Sequence, residues 1–233
     1  MDKPVLLLLT TKPWMQYVDN LNQAAFASAD RLGARLIIRA TYIADDPATV
    51  RCEEDAAVAM ARQWLDSGSI QGVLLASNLL DHFPDTRLQE RFCDLLAPHP
   101  VISFGLACPG TSSVVTDNRQ PMRELTLHLI DMHACRTFWH ILGPSGTGEI
   151  QDRSLGFHDA CRMRKIPPDQ VKTASGEFSF QFGKNVVTAW IEEGRPLPDA
   201  VCCACDEIAM GACAALADHG VEVPGRVRVT GYD

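Results

Sequence analysis

The sequence predicts an α/β protein of two lobes, each a parallel sheet with helices on both faces. Three observations lead there. Short runs rich in Val, Leu and Ile alternate with segments of helical period; the runs are too continuously apolar for strands with one wet face; and the alternation starts again near Asp117 and Asn118. With 233 residues, 46% of them hydrophobic and 21% charged, the chain can bury the core of one large or two small domains.

In order along the chain, "VLLLL" (5 to 9) reads as a fully buried strand. The loop "TTKPWMQY" leads into a helix with Val18, Leu21, Ala25, Ala29 and Leu32 on one face, ended by Gly33. "ARLIIRAT" is a second strand, residues 53 to 67 a helix closing at Gly68, and "IQGVLLAS" (70 to 77) a third strand. A helix with Leu88, Phe92, Leu95 and Leu96 on one side follows, then the strands "PVISFG" and "SSVVT". The second lobe opens with a helix over about 120 to 132 and the strand "RTFWHILG". It continues through a helix over about 151 to 165, the strand "VKTAS", a helix over about 181 to 193, "DAVCCAC", a helix over about 206 to 218, and "RVRVTGYD". No Gly/Ser linker or charge block divides the lobes, which are expected over 1 to 117 and 118 to 233 in intimate contact.

Composition excludes several classes. The formal charge of −8 and pI near 5.3 leave no basic stripe for nucleic acid. The opening apolar run of about five residues is shorter than a signal-peptide core of roughly seven to fifteen. Nothing approaches the roughly twenty apolar residues of a membrane span. A cytoplasmic chain without membrane contact is expected, its nine cysteines mostly thiols.

Apparent motifs mostly dissolve on inspection. Cys202 and Cys205 form a C-x-x-C, but structural zinc needs four ligands and no second pair lies at finger-like spacing. Cys202 and Cys203 fall in a predicted strand, where free cysteine packs as a small apolar residue; Cys205, at the strand-to-helix junction, is the one placed to line a pocket. "GPSGTGEI" has glycines at the two Walker A positions, Gly143 and Gly148, yet Glu149 and Ile150 stand where phosphate binding needs Lys and Ser/Thr. The seven histidines make neither H-E-x-x-H nor a ligand cluster and read as surface or locally bonded. With no G-x-S-x-G elbow and no nucleophile beside a base, neither catalytic residues, a metal nor a cofactor is expected.

From about Val114 onward, "SVVTDN", "RTFWHILGP", "QDRSLGFHDA" and "PDAVCCACDEIAMGACAALADHGVEVPGRVRVTGYD" resemble the effector-binding core of the lactose-repressor (LacI) family. The first half fits that family by topology and by "IQGVLLAS". The resemblance implies two Rossmann-like lobes of the type I periplasmic-binding-protein fold, a small polar, sugar-like effector in a cleft between them, and a homodimer.

On this resemblance, Arg153 in "QDRSLGF" matches the family's R-x-x-G arginine, whose fork binds two ligand oxygens while Gly156 allows close packing; the competing reading is a surface helix arginine. Asp233 matches the aspartate after G-Y or G-F, an acceptor for hydroxyls or an amine, or else a turn residue. Phe178 and Trp14 are candidates to lie against the ligand, with core packing as the alternative. Asn78, just past the third strand, is either a ligand contact or a turn residue. Cys205 stands where the family commonly has an asparagine, which removes a polar contact.

"MHACR", one residue longer than the usual glycine-histidine-arginine run, together with "TSSVVTDNRQPM" and "LQERFCDLL", makes the chain look more like the sensor modules fused to diguanylate cyclases (GGDEF) or other signalling outputs. The leading expectation is therefore a ligand-sensing domain controlling a covalently attached output domain. The core is expected to be incomplete after Asp233. The rivals are the effector-binding core of a LacI-type transcriptional regulator without its DNA reader, a sugar-transport binding protein, and an enzyme with an unrecognised site.

Overall fold

The computed structural model describes residues 3–11, 16–41, 58–76, 90, 93–105, 110–144 and 148–232. The chain divides into two compact units, Met1–Thr116 and Asp117–Asp233.

The first unit runs β1 (Val5–Thr11), α1 (Gln16–Arg31), β2 (Arg35–Thr41), α2 (58–66), β3 (Gly72–Ala76), α3 (93–96), β4 (Val101–Gly105) and β5 (Ser112–Val115). All strands pair in parallel in the order β2-β1-β3-β4-β5. The strand period of two sends Leu7 and Leu9 to one face, where they pack with Val73 and Leu75 against Val58, Ala61 and Leu65 of α2. Gly33 ends α1 at φ +69°, a turn that glycine takes without strain. Leu32 departs from expectation: it falls one residue beyond α1 and is 77% exposed, because the helix stops before it can join the buried face.

The second unit runs α4 (Arg119–His133), β6 (Phe138–Leu142), α5 (Gly148–Met163), a 3-10 turn (Pro168–Gln170), β7 (Val171–Ser175), α6 (Phe180–Glu192), β8 (Ala200–Cys203), α7 (Asp206–Asp218) and β9 (Arg228–Thr230). Its parallel sheet has the order β7-β6-β8-β9. Both faces are covered. Phe138, Ala200 and Cys202 point toward α4 and α5, joining Met122, Leu129, Ile130 and Phe157. Trp139, Ile141, Val201 and Cys203 point the other way, against Val187 and Trp190 of α6 and Ile208, Ala212 and Leu216 of α7. The predicted α/β architecture with helix-flanked parallel sheets is the one observed.

This alternation decides what the cysteine run is. Cys202 and Cys203 sit in opposite cores and are essentially inaccessible. Burial pushes the Cys202 thiol up to about 12 and that of Cys203 well above its ordinary value, so neither supplies a thiolate near neutral pH.

Two helix pairs approach closely through glycine. A methyl group on Gly156 of α5 would collide with the Arg119 carbonyl of α4. In the other layer, Gly183 of α6 meets the Ile208 carbonyl and Gly211 of α7 meets the Phe180 carbonyl, so the α6–α7 crossing leaves no room for a Cβ from either side.

Candidate functional site

The carboxyl ends of parallel strands are where an open α/β sheet offers backbone groups and loops to a ligand. In the second unit Arg153 is held at that edge. Residues 150, 153, 156, 157 and 160 form the buried face of α5, so the helical period carries the guanidinium inward, and Arg153 is only 6% exposed.

Its fork is fixed by residues from four places in the chain. Nε donates to Asn118 Oδ1 at 3.0 Å and Nη1 donates to the Ala204 carbonyl, just past β8, at 2.7 Å. The Tyr232 ring, just past β9, lies 4.3 Å from the guanidinium carbon. Nη2 stands 3.8 Å from Glu149 Oε2, one helical turn earlier on α5. Asn118 is placed by its neighbour: Asp117 Oδ1 accepts from the backbone N–H groups of Arg119 and Gln120, each at 3.0 Å, and so starts α4. Among the described residues, both acceptors at hydrogen-bonding distance from the cation are neutral, and its carboxylate partner Glu149 is more distant and 39% exposed. A buried guanidinium in this state attracts oxygen-rich or anionic ligands, for which its planar fork is shaped.

The other predicted residues fall as follows. Phe178 is 40% exposed and lays its ring over Gly143 at the end of β6, where any Cβ would collide with it. The first of the two Walker-like glycines thus makes room for an aromatic ring, and the second, Gly148, opens α5. Cys205 is 8% exposed in the core cluster of α6 and α7 and precedes the first turn of α7. Burial raises its thiol, against the opposing pull of the Ile208 and Glu207 N–H groups. Trp14, Asn78 and Asp233 lie outside the described residues.

Asn118, Ala204, Glu149 and Tyr232 were not among the predicted site residues. Glu149 was legible from its spacing four residues before Arg153, and Tyr232 from its place in G-Y-D; the Ala204 contact uses a carbonyl and has no side-chain signature. His140 corrects the reading of the histidines as surface or locally bonded. It is fully buried, stacked on Phe157 with centroids 3.9 Å apart, with Nδ1 3.2 Å from the Cys202 carbonyl and, among the described residues, no hydrogen-bond partner for Nε2.

The first unit carries a groove of about 530 Å³ lined by Leu6, Gly72, Val73, Pro100, Ile102 and Ser112 among others. These residues begin β1, β3, β4 and β5, so the groove lies at the amino ends of the strands, opposite the edge where parallel sheets bind ligands.

Comparison with known proteins agrees with this architecture. The family model of the periplasmic binding protein-like domain matches residues 126–233. The transcriptional regulator GalR of Salmonella typhimurium is 32% identical over 120 residues, 52% of this chain and 34% of GalR. The ribose operon repressor of Halalkalibacterium halodurans is 24% identical over 187 residues, 79% of this chain and 53% of that protein. The chain therefore spans about a third to a half of the length of these relatives. The lac repressor dimer bound to operator and the anti-inducer ONPF superposes with a TM-score of 0.81 at 18% identity, covering 100% of this chain and 75% of that one. The Escherichia coli repressor ascG gives a TM-score of 0.74 at 21% identity, covering 99% and 79%.

Residues 126–233 thus resemble a periplasmic binding protein-like domain, and the curated relatives named above are LacI/GalR-type regulators. These relatives are regulators rather than enzymes, and they lend no support to the expected link with diguanylate cyclases.

Proposed function

We propose that the chain is the effector-binding part of a LacI/GalR-type transcriptional regulator, and that Arg153 anchors a small polar effector at the carboxyl edge of the second sheet. The observation that carries this reading is the buried, fork-oriented guanidinium, held by Asn118 and Ala204 with Tyr232 against it. Its chemistry suits hydroxylated or carboxylated metabolites, and the likeness to the ribose operon repressor makes pentoses the first class to try. Effector binding favours one arrangement of a cytoplasmic homodimer over another, and an attached DNA-binding segment reads out that bias. The lac repressor structure in the comparison is itself a dimer on operator.

A thermal-shift panel of pentoses, hexoses, nucleobases and small carboxylates tests the reading. At least one class is expected to raise the melting temperature in a concentration-dependent way in the native chain and not in Arg153→Gln. A panel that moves neither protein, or moves both equally, would contradict it.

A further inference from the structure

At the far end of α4 from Asn118, the exposed imidazoles of His128 and His133 meet with their Nε2 atoms 3.2 Å apart. Residues five apart on a regular helix do not share a face, where spacings of three and four do. They converge here because α4 ends at His133: Ala134 turns left-handed at φ 55° and its N–H returns to the Leu129 carbonyl. The rings stand nearly perpendicular, at 79°, with centroids 5.0 Å apart.

That geometry is compatible with a shared metal ion. Two imidazole nitrogens at about 2.0–2.1 Å from one tetrahedral ion lie about 3.3 Å apart, with ring centroids about 5.2 Å apart. The measured 3.2 Å and 5.0 Å lie within about 0.2 Å of those values.

We propose that His128 and His133 form a two-ligand site for a divalent late first-row transition-metal ion of the nickel, copper or zinc class, for which imidazole is a preferred ligand. Water completes the coordination, since no group of three or more His, Cys, Asp or Glu is placed to hold a metal among the described residues. The nearby carboxylates are engaged elsewhere: Asp131 accepts two bonds from Arg164, both at 2.7 Å, and Glu124 accepts from Gln120 at 2.8 Å. Along the helix, the pair lies about 20 Å from the Arg153 end of α4, so it is separate from the proposed effector site.

Calorimetric titration of the full chain with nickel(II) in a non-chelating buffer tests this, alongside His128→Ala and His133→Ala. Both positions are exposed, so the variants should fold, as circular dichroism would check. One ion per native chain is expected, with affinity falling about tenfold or more in each variant, because the second imidazole is presented at high effective concentration. Equal affinity in all three proteins, or a loss in only one variant, would overturn the site.

Discussion

Arg153 shows how a helix position becomes a buried, fork-oriented cation. Only its i, i+3, i+4 register was visible in the sequence, together with the R-x-x-G resemblance. Its partners come from the start of α4, the end of β8 and the end of β9, which only the fold brings together. Arg153→Ala should therefore do more than abolish effector binding. It leaves the Ala204 carbonyl without its side-chain donor at a buried place, and should cost about 1–3 kcal/mol in urea unfolding of the ligand-free chain. His140 yields a pH prediction. Burial first, and then the neighbouring His158, lower it to about 3. The unfolded chain, with its histidine near 6.5, takes up the proton earlier, so stability from this group is complete above about pH 6.5 and is lost as pH falls toward about 3. The slope approaches about 1.4 kcal/mol per pH unit for one proton. Unfolding free energies measured between pH 7 and 4 should show this acid limb, and His140→Phe, which keeps a ring beside Phe157, should flatten it by up to one proton.

At the scale of the element, hydrophobic patterning located each described strand and each α-helix of the second unit, although β5 is exposed throughout and β7 has no fully buried residue. The ends were less legible, since capping depends on contacts that periodicity does not encode. Expected strand "DAVCCAC" shortens to Ala200–Cys203, and the helix expected from about 151 begins at Gly148. The cysteine run was read as core packing, and alternation on β8 does distribute Cys202 and Cys203 between two cores. The tight α6–α7 crossing was also hidden, as "EIAMGAC" reads simply as a small-residue helix. Gly211→Ala should push the α7 backbone off the Phe180 carbonyl and destabilise the second unit by about 1–3 kcal/mol, despite its better helix propensity. Chemical denaturation of the variant checks this directly; a neutral or stabilising substitution would mean that the crossing relaxes freely.

For the molecule as a whole, the restart of the α/β pattern near Asp117 and Asn118 was the signal for two lobes; the compact units of the chain are Met1–Thr116 and Asp117–Asp233. Output was less readable: the unusual "MHACR" pointed toward a sensor module fused to a signalling output, whereas the relatives are repressors and regulators. An effector should meet the carboxyl edge of the second sheet and leave the amino-end groove of the first unit alone. The most direct measurement is amide chemical-shift mapping of the isotope-labelled chain on titration with an effector identified from the panel. The account predicts shifts concentrated at Leu142, Gly143, Arg153, Ala204, Cys205 and Tyr232. Shifts clustered instead at Leu6, Gly72, Val101 and Ile102 would place the ligand in the opposite groove and contradict it.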